Sequence, residues 1–194
     1  MIIRTKQFAL IAGLFSMMLL GGCGYKLIKQ GTHMDSGGFK VSAKSHDWSL
    51  LNRDKEKVWT YDGVGLQSLI LYPAIKKDEW INTQHIEDQQ TFDPAMSEQE
   101  IMELFVRHQK RNWQQIKASN LAPAELGGYP GFTFDLHFQS KDGVAYRSFV
   151  RGAVVQDRLY LAHYYGTDIH YFDAERLAVE AILDDAKLIL TKEM

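Results

Sequence analysis

Phe132-Thr133-Phe134-Asp135-Leu136-His137-Phe138 decides the fold class. Apolar and polar residues alternate without a break, which places four large side chains on one face of a β-strand and Thr133, Asp135 and His137 on the other. The stretch follows Gly127-Gly128 and leads into Lys141-Asp142-Gly143, a hairpin turn signal. A second strand is expected over 146–155, a turn at Gln156-Asp157-Arg158, and a third strand over 159–165. Strands joined by turns this tight are antiparallel, because a parallel pair needs a crossover of a dozen or more residues.

Moving outward, Asp173 can cap a closing helix with Phe172 as its staple residue, and Leu177, Ala181, Ile182 and Leu188 supply an apolar stripe. On the N-terminal side, Ser97-Glu98-Gln99-Glu100 is a capping box, in which the Ser97 hydroxyl and the Glu100 carboxylate satisfy the first free N–H groups reciprocally. Ile101, Leu104, Phe105 and His108 recur at helical spacing behind it, and the pattern can run on to Ile116. Residues 73–96 hold Pro73, Pro94 and many polar groups, with Trp80-Ile81 as the apolar pair. They read as a long loop, either functional or a flap covering a sheet edge.

Farther upstream, strand-like runs fall at 39–42, 48–51, 58–61 and 66–72, separated by reversals at Asn52-Arg53-Asp54-Lys55 and Asp62-Gly63. The simplest reading is a four-stranded meander. The expected order is ββββ-α-βββ-α: an α+β fold, an antiparallel sheet with helices packed on it, in one domain over residues 39–194.

The N-terminus has the layout of an export signal. Arg4 and Lys6 precede an uncharged apolar run over residues 8–20, whose 13 residues at a rise of roughly 1.5 Å reach only about 20 Å, short of the roughly 30 Å hydrocarbon core. Leu20-Gly21-Gly22-Cys23 then resembles the bacterial lipobox, in which an aliphatic residue and two small ones precede a cysteine that is diacylated, cleaved before and N-acylated. Residues 1–22 are expected to be a lipoprotein signal peptide and Cys23 the lipid-attachment site. Residues 23–38, without sustained periodicity, are expected to form the lipidated tether. Cys23 is the only cysteine, so the exported chain cannot form an internal disulfide. Gly24 stands where an Asp would resemble the inner-membrane retention signal of enterobacterial lipoproteins, which for a Gram-negative host implies the outer membrane, at its periplasmic face.

Removing residues 1–22 takes away Arg4 and Lys6 and no acid, so the formal charge goes from −2 to −4. No basic stripe interleaved with aromatics is present, which argues against nucleic acid as a partner. No nucleophile elbow, phosphate loop, dinucleotide fingerprint or zinc-helix motif occurs. The most suggestive cluster is His163-Tyr164-Tyr165-Gly166-Thr167-Asp168-Ile169-His170, which offers two imidazoles and a carboxylate near one strand end. With His137 it is the best material for a metal-dependent hydrolase; half-buried hydrogen bonding explains His163 as well, and no metal or other cofactor is assigned. His108 is read as a structural core histidine, His33 as part of the tether, and His46 and His85 as polar-stretch residues without a visible partner. Glu180 with Asp184-Asp185, and Lys76-Lys77-Asp78-Glu79, read as solvated faces. Trp80 in the long loop and Tyr165 near a strand end are the candidate residues for a ligand groove or partner surface.

The order of elements resembles the PsbP-like fold. So do Phe92-Asp93-Pro94-Ala95-Met96-Ser97 before the first helix, and Ala153-Val154-Val155 with Arg158-Leu159-Tyr160-Leu161 in the last hairpin, phrases that also resemble a group of bacterial lipoproteins. The resemblance covers about residues 39–190, brings no catalytic motif, and implies a binding or assembly role. The expectation is therefore a membrane-anchored, non-catalytic lipoprotein of the bacterial envelope that meets the membrane through lipid on Cys23 and binds another envelope protein. A lipid-anchored metal-dependent hydrolase is the alternative.

Overall fold

The computed structural model describes residues 24–53, 56–81 and 90–190. Cys23, the signal segment and His85 lie outside the described residues. The alternating stretch sits inside β8 (Tyr129–Gln139), with Phe132, Phe134, Leu136 and Phe138 all buried. A one-residue slip would carry all four to the opposite face, so the hydrophobic pattern fixes the register. β9 (Ala145–Val155) and β10 (Arg158–Thr167) follow as an antiparallel meander, with Phe134 opposite Val150 and Val150 opposite His163.

On the other side of β10 come β4 (Trp48–Arg53), β5 (Glu56–Thr60) and β6 (Gln67–Leu71), β6 pairing with β10 through Leu71 opposite Ala162. The two edges are β1 (Tyr25–Ile28) and β7 (Gln114–Leu126). The result is one eight-stranded antiparallel sheet in the order β1-β4-β5-β6-β10-β9-β8-β7. A second sheet of three strands is ordered β11-β3-β2, from β2 (His33–Ser36), β3 (Phe39–Ser42) and β11 (Lys187–Leu188). Among the described residues two helices complete the fold, α1 (Glu98–Gln109) and α2 (Tyr171–Asp184).

Each face of the large sheet has its own buried cluster. One joins Trp48, Trp59, Leu69, Phe149 and Tyr164 to Phe172, Val179 and Ile182 of α2 and to Phe39 and Val41 of β3. The other joins the β8 side chains to Ile101, Leu104 and Phe105 of α1 and to Tyr72, Ile75, Ile81 and Phe92. The described part of the 73–96 connection is thus a cover: Ile75 and Leu159 exchange backbone hydrogen bonds at 2.9 Å, and Phe92 is paired to Asp78 and Glu79.

The architecture is mostly antiparallel β with two helices, and its order corrects the expectation. Residues expected as tether form β1 and β2. Ile28 is buried in the first cluster, and the Ser36 hydroxyl accepts the buried Trp59 indole N–H at 3.1 Å. The first helix stops at Gln109 instead of running to Ile116. Trp113 packs on Phe138 and Tyr146, with ring centroids 4.5 and 5.0 Å away, and the chain turns there into β7. The second helix begins behind His170, whose side chain makes no cap hydrogen bond, and Asp173 in its first turn pairs with Arg147 instead of capping. Its inward residues are Phe172, Glu175, Val179, Ile182 and Leu183; Leu177 and Ala181 face out, and Leu188 belongs to β11. The expected layering of helices alone on a sheet is likewise replaced, because a small second sheet shares the cover of the first face.

Candidate functional site

Three connections meet at the end of the large sheet where β5, β8 and β10 finish and β6 and β9 begin: residues 61–66, 140–144 and 168–170. Two tyrosines on neighbouring strands tie the first of them down. The Tyr146 hydroxyl donates to the Gly65 carbonyl at 2.8 Å and the Tyr165 hydroxyl to the Val64 carbonyl at 3.1 Å. Both rings belong to an aromatic group with Trp113 and Phe138, with centroid separations of 4.5–6.2 Å. An aromatic ring buried in such a group has few rotamers left, so its hydroxyl holds the loop carbonyl at a fixed point.

Backbone bonds close the rest of the apex. The Thr167 N–H donates to Leu66 and the Asp168 N–H to Ala145, each at 2.9 Å. Arg147 reaches Asp168 at 2.5 Å, pairs with Asp173, and lies 4.8 Å from the centre of the Phe172 ring, which clamps the turn between β10 and α2. Gly166 permits that closeness, since a Cβ there would sit 2.6 Å from the Phe172 backbone nitrogen. On this braced frame Leu66 is 36% exposed, Val144 41% and Ile169 95%.

The structure separates the residues expected to do chemistry. His163 is buried against the Ser148 hydroxyl, with Nε2 to Oγ at 3.0 Å, and burial pushes its pKa down to about 3, so the imidazole is neutral at any ordinary pH. A serine and histidine at this distance resemble the first two members of a nucleophilic triad. Both are shut under α1, with the Phe105 ring 5.1 Å from the imidazole, and among the described residues no carboxylate bonds the second ring nitrogen. His137 is exposed on β8, His170 is exposed beside Tyr171, and Asp168 is held by Arg147. Among the described residues no three of His, Cys, Asp and Glu come together as a metal-holding group.

Of the two candidate surface residues, Tyr165 is a buried brace of the apex with its ring 5.6 Å from Trp113. Trp80 is half-buried in the cover, next to the fully buried Ile81. His108 is buried as expected, its Nε2 3.0 Å from the Gln90 carbonyl, and burial lowers its pKa.

One further pair joins residues 129 positions apart, so no local pattern announces it. His46 Nε2 lies 3.0 Å from the Glu175 carboxylate, with the imidazole stacked on Trp48 and packed on Tyr61. Burial raises the Glu175 pKa, and nearby Asp62 adds to it while His46 opposes. Glu180, Asp184 and Asp185 pair separately, with Arg176, Arg151 and Lys44. The first two pairs help line a groove of about 400 Å³ between α2 and strands β7–β9.

No family model matches the chain, and no curated protein matches it in sequence. Among solved structures it is similar to the cyanobacterial PsbP (CyanoP) of Synechocystis sp. PCC 6803, with a TM-score of 0.50 and 11% identity over 87% of this chain and 95% of that one. It is also similar to LpqN, involved in cell envelope biogenesis of Mycobacterium tuberculosis, with a TM-score of 0.49 and 14% identity over 85% of this chain and 91% of that one. At such identity the first likeness shows a PsbP-like fold and carries no activity with it.

Proposed function

We propose that this chain is a lipid-anchored envelope protein whose PsbP-like domain is a non-catalytic binding or assembly module, tethered through Cys23 to the outer membrane of a Gram-negative host and contacting a protein partner with its apex. The observation that carries the reading is the braced apex: two buried tyrosine hydroxyls fix a loop, and an arginine clamp presents Ile169 almost wholly to solvent. The lipobox sequence supplies the anchor. The sealed Ser148–His163 pair removes the best-placed nucleophile from any substrate. β1 runs in the same direction as β10, so Gly24 lies at the end of β1 farther from the apex.

Anchoring confines both partners to one surface and raises their effective concentration, so a weak contact can be well occupied in the cell. The test is complementation of a deletion strain with a measurable envelope defect. The same domain on an unrelated lipoprotein anchor should rescue, the exported domain lacking Cys23 should rescue poorly, and anchored Ile169→Asp should fail at normal abundance. Full rescue by the unanchored domain at native abundance would favour a diffusible enzyme or carrier and end the proposal.

A further inference from the structure

The first strand begins two residues after the proposed acylation site, and this leaves no room for a tether. Only Gly24 separates Cys23 from Tyr25, the first residue of β1. Two residues of extended chain span at most about 7 Å, whereas the headgroup layer on each side of a bilayer is about 5–7 Å deep. If Cys23 carries lipid, Tyr25 is in or against the headgroups.

β1 cannot swing away on its own, because it is paired with β4 from Tyr25 opposite Leu51 to Ile28 opposite Trp48. Its alternation sorts the side chains. Ile28 enters the first buried cluster, while Tyr25 and Leu27, both on the other face, are 44% and 58% exposed. These two are among the few large apolar side chains that the described residues leave exposed, and they are the ones nearest in sequence to the anchor. Tyrosine suits that place, since its ring sits among headgroups with the hydroxyl in water.

We infer that the outer face of β1, through Tyr25 and Leu27, lies against the phospholipid headgroups beside the acylated Cys23, so that the lipid and the strand together set one orientation of the domain on the membrane. The occupant of this face is the lipid surface. Acyl chains alone supply the affinity; the two side chains supply the angle. The inference rests on the reading of Cys23 as the lipid site.

The experiment uses the full lipidated protein in vesicles of phosphatidylethanolamine and phosphatidylglycerol that contain nitroxide-labelled lipid. Acylation consumes the only native thiol, so a single introduced cysteine can carry a fluorophore: Ser49→Cys, opposite Leu27 on the same face of the sheet, or Ile169→Cys at the apex. The fluorophore at 49 should be quenched by the nitroxide lipid and the one at 169 should not. Adding Tyr25→Ser with Leu27→Ser should bring quenching at 49 down to the apex level, with the melting temperature and membrane retention kept. Equal quenching at both sites, or quenching at 49 that ignores the double substitution, would overturn the inference. Mass spectrometry of the same preparation separates the two claims. Acylated Cys23 with no quenching at 49 sinks only the orientation, whereas an unmodified Cys23 sinks the lipid reading and the orientation with it.

Discussion

The two edges of the eight-stranded sheet are built in opposite ways. β7 is 13 residues long and should invite another chain to add a strand, yet it breaks its own ladder twice. The register shifts between Gln114 and Lys117 and again between Ser119 and Ala122, with Gln115 and Asn120 at φ of 51° and 55° and with Pro123 removing an N–H. Bulges, a lysine and a proline are the devices by which an exposed edge is kept from pairing. β1 is four residues long, has no break in register, and carries an exposed tyrosine and leucine. Its shortness and the exposed Lys26 blunt it as a template for pairing, and under the proposed lipidation of Cys23 its outer side chains, Tyr25 and Leu27, meet the headgroups.

The largest test of the contrast is to remove the short edge. A chain beginning at Gly38 loses β1 and β2, hence buried Ile28 and the Ser36 hydroxyl that accepts the Trp59 indole, and it uncovers Trp48 and Leu50. Burial of Ile28 accounts for about 2–3 kcal/mol, the orphaned indole for about 1–2, and the uncovered side chains add to both. Urea unfolding should show a loss of about 5 kcal/mol, or no folded state, against a typical domain stability of 5–15 kcal/mol. Near-native stability would make residues 24–37 a tether after all.

Acid probes the interior that both edges share. His163 has a pKa of about 3 in the fold and an ordinary value near 6.5 when unfolded. Between those values the unfolded chain binds a proton that the folded chain refuses, so stability falls as pH falls, by up to about 1.4 kcal/mol per pH unit from this group. The same sign holds for buried His108. Folding stability followed from pH 7 to pH 4 should drop with this slope, and His163→Gln should flatten it. An unchanged slope in that variant would mean that His163 is not sealed.

At the guarded edge the expected effects are smaller. Asn120 tolerates its left-handed conformation, whereas a β-branched side chain does not, so Asn120→Val should cost about 1–2 kcal/mol or straighten the bulge. A straightened β7 should self-associate, which light scattering would detect. Asn120→Gly keeps the bulge and should leave the association state as it is in the native protein. Smallest of all, Leu27→Ser should change stability by less than about 0.5 kcal/mol, because the side chain is exposed in the isolated domain. A larger loss would place Leu27 in the core and remove it from the membrane face.

The two edges also explain what could be read from the chain alone. β8 buries one face against the α1 cluster and leaves Thr133, Asp135 and His137 on the other face only partly covered or exposed, so it had to alternate, and Phe132 to Phe138 announced it. The capping box of α1 was equally plain, because Ser97 and Glu100 act within one turn, with Glu100 Oε2 accepting from the Ser97 N–H at 2.7 Å. β7 buries almost nothing, and its Gln, Lys, Asn and Pro residues carry no period. Its start was absorbed into the preceding helical pattern because Ile116 fell at helical spacing. β1 and β2 are too short for alternation to register, and the Trp59 indole that secures β2 lies 23 residues away from Ser36. The apex was half visible. The stretch from His163 to His170 stood out, but its roles depend on Tyr165 reaching Val64 across 101 residues, a contact that no local pattern encodes.

The claim on which the rest depends is that Cys23 is the mature N-terminus and carries lipid. Mass spectrometry of the protein taken from bacterial membranes tests it directly, beside the same measurement on Cys23→Ala. The expected result is an N-terminal peptide starting at acylated Cys23 and, in the variant, an uncleaved chain that still begins with residues 1–22. A mature protein with a free Cys23 thiol, or a variant processed as before, would contradict it.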